Sequence, residues 1–187
     1  MQMKKSIRPE KNQINVPPKR RASTEIVEDD DPSSKLYDLI AQQPLFYGLS
    51  ASHLQLLTKS AMKMQFEPGR QIFHEGEPSN RFYLILEGKV EVESEPEKDN
   101  KISVGTLGPG DGLGWSWLFP PHYVQFGMRA VEPTKTIFFY GTRLLEQCEN
   151  DHDFGYEIMK RFAKEAIKNL KSMPSELSAR CKQISAS

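Results

Sequence analysis

The side chains able to do chemistry are scattered along this chain rather than gathered in a motif. Four histidines, His53, His74, His122 and His152, stand far apart with no His-x-His pair. A metal centre on a β-scaffold needs histidines alternating on one strand and a carboxylate converging on the cation, so this spacing argues against one. Ser116 lies in Gly114-Trp115-Ser116-Trp117, which has the look of the start of a nucleophile elbow. It lacks the closing glycine and the alternating strand–helix context that such an elbow requires. Cys148 and Cys181 have no metal-type spacing and read as reduced thiols. The expectation is a protein that is not an enzyme and holds no metal. Lys19-Arg20-Arg21-Ala22-Ser23 has the form of a basophilic kinase substrate, although a solvated basic run is the simpler reading.

The composition narrows the classes further. A chain of 187 residues is long enough for one domain with appendages. Lys and Arg number 25 and Asp and Glu 25, so 25 − 25 leaves a formal charge of zero. A dedicated nucleic-acid binder needs a net basic face, which this balance does not supply. Hydrophobic residues make up 37% of the chain and mean hydropathy is −0.58, low enough to place part of it outside a packed core. Apolar runs such as Thr136–Tyr140 fall far short of the ~18 residues that span a bilayer. Met1-Gln2-Met3-Lys4-Lys5 leads into polar sequence without the apolar stretch of a secretory signal. No membrane association and a cytoplasmic location are the resulting expectations.

The elements follow from charge and period. Residues 1–34 carry a basic block from Lys4 to Arg21, an acidic block from Glu25 to Asp31, and three prolines before Pro32. Such a stretch cannot bury enough surface to offset its ordering entropy and is expected to be a disordered tail. Pro32-Ser33-Ser34 then caps a helix carrying Leu36, Leu39 and Ile40, and Ser50 caps a second. From Met62 the period shortens to two. Met64, Phe66, Ile72 and Phe73 surround a Pro68-Gly69 turn, and Phe82–Leu86, Val90 with Val92, Ile102–Leu107, Met128–Val131 and Thr136–Tyr140 read as strands. Phe66, Ile72, Tyr83, Ile85 and Val90 occupy the inward positions of that alternation. Strands of about five residues with glycine turns every ~8–12 residues suggest a sandwich or closed roll. Helical period returns at Thr142. Asp151 caps a longer helix with Phe154, Ile158, Phe162, Ile167 and Leu170 on one side, stopped by Met173-Pro174. The fold class is α+β: an antiparallel, jelly-roll-like β-roll over residues 35–173 with helices before and after it, then a C-terminal tail over 174–187.

Residues 36–172 resemble the cyclic nucleotide-binding domain of the catabolite-activator and protein-kinase regulatory-subunit superfamily. The resemblance runs through Phe46-x-x-Leu49-Ser50, Phe66-Glu67-Pro68-Gly69-Arg70-x-Ile72, Glu75-Gly76-Glu77, Phe82-Tyr83 to Gly88, Val90-x-Val92, and Leu107-x-x-Gly110-Asp111 with Leu113-Gly114. It implies a β-roll flanked by helices. It also implies a phosphate-binding cassette after Asp111, in which a short helix aims backbone N–H groups at a cyclic phosphate. In the family pattern an early Glu takes the ribose 2′-hydroxyl, and an Arg about ten residues later pairs with the phosphate.

The candidate cassette here comprises Gly112, Leu113, Gly114, Trp115, Ser116, Trp117, Val124 and Gln125. Anchoring on Gly114 puts Trp115 in the place of the Glu, and anchoring on Met128-Arg129-Ala130 puts Val124 in the place of the Arg. Neither ligand-defining residue is present. Arg129 lies an odd number of positions beyond Val124 and is expected on the opposite, solvated face of its strand. Gln125 and Ser116 are neutral donors, and His122 adds a cation at mildly acid pH. Trp115 and Trp117, at i and i+2, are expected to point apart, with at most one of them facing the pocket to stack on a base or fill it.

No recognition helix of the helix-turn-helix type can be built from the residues after Ser172, so direct DNA binding is not expected. Lys19–Ser23 is also similar to the inhibitor-type segment of family regulatory subunits. Two readings remain. The first is a stand-alone regulatory sensor domain with a non-consensus pocket, binding cyclic AMP or GMP weakly or not at all, or taking another small anionic ligand. The second is a ligand-independent interaction module that dimerises through the helix 152–172. No cofactor is implied beyond such a ligand.

Overall fold

Alternation along the strands decides which side each residue faces, and the computed structural model realises it as two antiparallel sheets. The structure describes residues 25–26, 32–97, 100–118 and 120–172. The strands are β1 (Glu25–Ile26), β2 (Ala61–Phe66), β3 (Gln71–Phe73), β4 (Arg81–Glu87), β5 (Val90–Glu97), β6 (Asn100–Leu107), β7 (Gly112–Leu113), β8 (Gly127–Ala130) and β9 (Thr134–Tyr140). The helices are α1 (Pro32–Ala41), α2 (Ala51–Lys59), α3 (Gly141–Asn150) and α4 (His152–Ser172), with short 3-10 turns at Pro44–Phe46 and Trp115–Trp117. One sheet runs β1-β2-β9-β4-β7 and the other β3-β8-β5-β6, the jelly-roll-like fold that the strand pattern implies.

The centre of the first sheet is buried on both faces. Phe82 and Leu84 of β4 with Ile137 and Phe139 of β9 face the helices, meeting Phe46, Leu57, Phe154 and Phe162. Tyr83, Ile85 and Phe138 face the second sheet, where they meet Phe66, Ile72, Val90 and Val124. A strand covered on both sides is uniformly apolar, which is why Phe82-Tyr83-Leu84-Ile85-Leu86 reads as a run rather than an alternation. Phe66, Ile72, Tyr83, Ile85 and Val90 all lie between the sheets, as their period requires.

The caps are where the side-chain chemistry puts them. Ser50 accepts from the His53 amide at 3.2 Å and Asp151 from the Phe154 amide at 2.9 Å, each satisfying an N–H that a helix start leaves unpaired. Gly88 links β4 to β5 at φ 96°, and a Cβ there would lie 2.5 Å from the Pro133 carbonyl oxygen. Only glycine combines that dihedral with that approach.

Three details differ from expectation. Of residues 1–34, Glu25 and Ile26 pair with Gln65 and Met64 at the edge of the first sheet, and Pro32–Ser34 already belong to α1. The remainder of that stretch lies outside the described residues, as does 174–187. Ile167, placed with Phe154, Ile158 and Phe162 on one side of α4, is 53% exposed. β7 and both 3-10 turns are too short to leave a periodic signature.

Candidate functional site

The cassette begins where β7 leaves the sheet. Gly112 and Leu113 pair with Leu84 and Tyr83 of β4, and Gly114 then turns at φ 80° into the Trp115–Trp117 turn. A side chain at Gly114 would come within 2.5 Å of both the Arg81 carbonyl oxygen and the Phe73 ring, so this glycine lets the cassette pack tightly on β4.

Both tryptophans turn to the helical side. The Trp115 ring centre lies 4.8 Å from that of Phe82 and 5.0 Å from Phe162 of α4, and its indole N–H donates to the Gly112 carbonyl at 2.8 Å. Trp117 is buried and lies 6.1 Å from the same Phe162. The expectation that the pair points apart is therefore corrected, and neither ring turns to the inner face. In a 3-10 turn of three residues per turn, positions i and i+2 are about 120° apart, which lets two long rings flank one phenyl ring. Ser116 is half-buried between them.

The far end of the cassette returns to the inner face. Val124 is 3% exposed and packs among Phe66, Phe73, Tyr83 and Leu113. Its amide donates to the Glu77 carbonyl at 2.9 Å, and its own carbonyl accepts from the Gly76 amide at 2.8 Å. Gln125 is exposed, with its side-chain amide on the Tyr123 carbonyl at 3.2 Å. His122 folds back so that Nδ1 lies 3.0 Å from the Trp117 carbonyl oxygen. Thus Gly112–Trp117 and Val124 meet at β4, while Gln125 and His122 remain at the rim.

A group missed in the sequence pairs with Glu77, whose backbone carbonyl receives the Val124 amide. Arg81 opens β4, pairs with Glu77, and sets its guanidinium 4.9 Å from the centre of the Phe73 ring. Burial pushes the pKa of Tyr83 up, and the nearby Arg81 cation pulls it back. The signal was available: Arg81 has the parity of Tyr83 and Ile85, both assigned inward.

Arg129 sits on the outer face of the second sheet, as its parity requires. Its Nε donates to Glu93 at 2.6 Å and its fork also reaches Glu91, while Lys101 lies 3.3 Å from Glu93. A shallow cavity of about 150 Å³ opens there between Gln71, His74, Glu93 and Lys101, away from the cassette. Burial alone would raise the Glu93 carboxyl, but the hydrogen bonds and charges of Arg129 and Lys101 outweigh it and hold the group below its ordinary range. A depressed carboxylate stabilises the fold above its unfolded value and loses that contribution as pH falls through the folded one. Glu93→Gln should therefore be less stable than wild type at neutral pH, and the two melting curves should converge in acid. A constant gap between pH 7 and pH 3 would contradict this.

Burial, with the charges of Glu149 and Asp151, pushes the Cys148 thiol up to about 11, which leaves it unreactive at neutral pH. Among the described residues no group of three or more His, Cys, Asp or Glu side chains is arranged to hold a metal ion, and no helix is long and apolar enough to cross a membrane.

Comparison with known proteins agrees with this architecture. Residues 63–151 match the sequence model described as the cyclic nucleotide-binding domain. The chain is 31% identical over 84 residues to a CRP-like cAMP-activated global transcriptional regulator of Mycobacterium tuberculosis, an alignment covering 45% of this chain and 38% of the regulator. The match thus spans well under half of that relative's length. In structure the chain is similar to a cyclic nucleotide-binding domain from Methylobacillus flagellatus KT, with TM-score 0.65 and 18% identity over 75% of this chain and 81% of that one. It is also similar to the regulatory subunit of a cAMP-independent protein kinase A from Trypanosoma brucei, with TM-score 0.62 and 23% identity over 81% of this chain and 52% of that one. The sequence match covers the cassette and nearly all of the two sheets that carry it, and the solved structures share the roll: residues 63–151 carry the match to the cyclic nucleotide-binding domain.

Proposed function

We propose that this chain is a regulatory sensor-type module whose pocket lacks the consensus contacts to a cyclic nucleotide and so holds cyclic AMP or GMP weakly or not at all. The observation that carries this reading is Val124. In the place where the resemblance implies the phosphate arginine, an apolar side chain is 3% exposed inside the roll. Trp115, in the place implied for the ribose glutamate, is spent on packing against Phe82 and Phe162. A domain of this fold from Trypanosoma brucei is likewise described as belonging to a cAMP-independent kinase. A thermal-shift series with cyclic mono- and dinucleotides tests the reading. A ligand at a hundred times its Kd adds ~2.7 kcal/mol, or roughly 5–10 °C for a domain of this size. Cyclic AMP and GMP at 100 µM should leave the midpoint within a degree of the free protein, and a rise of several degrees would overturn the proposal.

A second reading, an interaction module that pairs through α4, is favoured by the outer stripe of that helix. Tyr156 and Ile167 are 66% and 53% exposed, and Ala163 lies between them at spacings of seven and four. Positions so spaced share one face, and an apolar stripe turned to water suits a second copy of the same helix. Sedimentation should give a dimer at tens of micromolar, converted to monomer by Tyr156→Glu/Ile167→Glu. A wild-type monomer at that concentration would count against pairing.

A further inference from the structure

The inner mouth of the roll carries a charge pair that the cassette does not explain. Arg81 stands in register with Tyr140 at the end of β4, on the face where Tyr83 and Phe138 lie between the sheets. Its guanidinium touches two neighbours: the carboxylate of Glu77 and the face of Phe73. The Phe73 ring is in turn the surface on which Gly114 packs, and the Glu77 backbone carbonyl receives the Val124 amide. The start of the cassette, its far end and the Arg81–Glu77 pair therefore meet at one place. Arg81 and Glu77 are 33% and 26% exposed, so this pair reaches solvent, while Phe73 and Tyr83 next to it are buried.

We propose that Arg81 is the anion-binding cation of this pocket, and that Glu77 is a built-in competitor which holds it until a phosphate-bearing ligand takes its place. This rests on the sensor reading above and supplies it with a residue. A guanidinium presents five N–H donors in a plane, more than one carboxylate can occupy. The same fork fits two oxygens of a phosphodiester as well as two of a carboxylate. Delivery from β4 instead of from the cassette loop leaves the cation anchored on a strand paired on both sides, with the Phe73 ring face holding its plane. Exchanging Glu77 for a cyclic phosphate is an exchange of one anion for another. The wild-type pocket accordingly binds its ligand against an internal competitor, and affinity falls by the strength of that competition.

The test titrates cyclic AMP, with adenosine as the phosphate-free control, into wild type, Glu77→Gln and Glu77→Gln/Arg81→Met, each first shown to be folded by circular dichroism. Glu77→Gln should tighten cyclic AMP binding at least tenfold and leave adenosine unchanged, and adding Arg81→Met should abolish the gain. Glu77→Ala serves in the same way if the glutamine variant does not fold. An unchanged Kd for cyclic AMP on removing Glu77, or a gain that survives Arg81→Met, overturns the assignment. Val124→Arg separates this failure from failure of the sensor reading. A gain there with none on removing Glu77 rejects Arg81 and leaves the reading of the cassette standing. Low-micromolar binding by wild type rejects that reading, and Arg81 stands if Arg81→Met then destroys the binding.

Discussion

Phe162→Ala is expected to destabilise the protein by ~3–5 kcal/mol, lowering its midpoint by roughly 6–20 °C. Phe162 is 1% exposed, and its ring centre lies 5.1 Å from Phe82, 5.0 Å from Trp115 and 6.1 Å from Trp117. Removing it leaves a void bounded by three large rings that cannot collapse inward, because β4 and the cassette turn are held by their own hydrogen bonds. The loss also separates α4 from the cassette, since the Lys168–Asp111 pair at 3.3 Å beyond it is exposed and weak. Tyr156→Ala, one turn and a half away but exposed, should change stability by no more than about 0.5 kcal/mol. A Phe162→Ala cost below about 1 kcal/mol would show that α4 does not rest on the cassette.

The second large effect concerns ligand affinity. A charge-assisted hydrogen bond contributes ~1.5–3 kcal/mol net, so lacking the phosphate arginine alone costs about 10- to 100-fold in Kd. The missing ribose glutamate takes away a second such contact. If the two act independently, roughly 3–6 kcal/mol is lost and a micromolar site becomes millimolar or weaker. The geometry separates the two positions. Val124 faces the interior with its amide on the Glu77 carbonyl, so Val124→Arg adds a cation at the position implied for the phosphate arginine and should gain 10-fold or more in cyclic AMP affinity. Trp115→Glu instead breaks the packing on Phe82 and Phe162, so it should cost stability before it gains a ribose contact. Unaltered cyclic AMP binding in a folded Val124→Arg variant would contradict this placement.

The fold was legible in the sequence because each level repeats the same information. The two-residue period places Phe66, Ile72 and Val90 inward, glycines mark the turns at Gly69 and Gly88, and Ser50 and Asp151 announce helices. The site was legible only along the chain. The proposal that Val124 stands in the place of a cation rests on anchoring at Met128-Arg129-Ala130, because loop residues keep their order. What fills the space depends on residues that are far apart in sequence. The contact of Trp115 and Trp117 with Phe162 crosses some forty-five positions and depends on a 3-10 turn too short to show a period. Arg81 was overlooked for another reason: a charged residue at a strand end reads as solvent-facing, although its parity with Tyr83 directs it inward.

Calorimetric titration of the wild-type protein with cyclic AMP tests the central claim most directly, because the proposal is that the native pocket lacks the consensus phosphate contact. With protein at tens of micromolar and ligand taken to the millimolar range, the account predicts no saturable heat below about 1 mM. A saturable isotherm with a Kd in the low micromolar range would mean that another side chain already completes the phosphate site, and the account would be wrong.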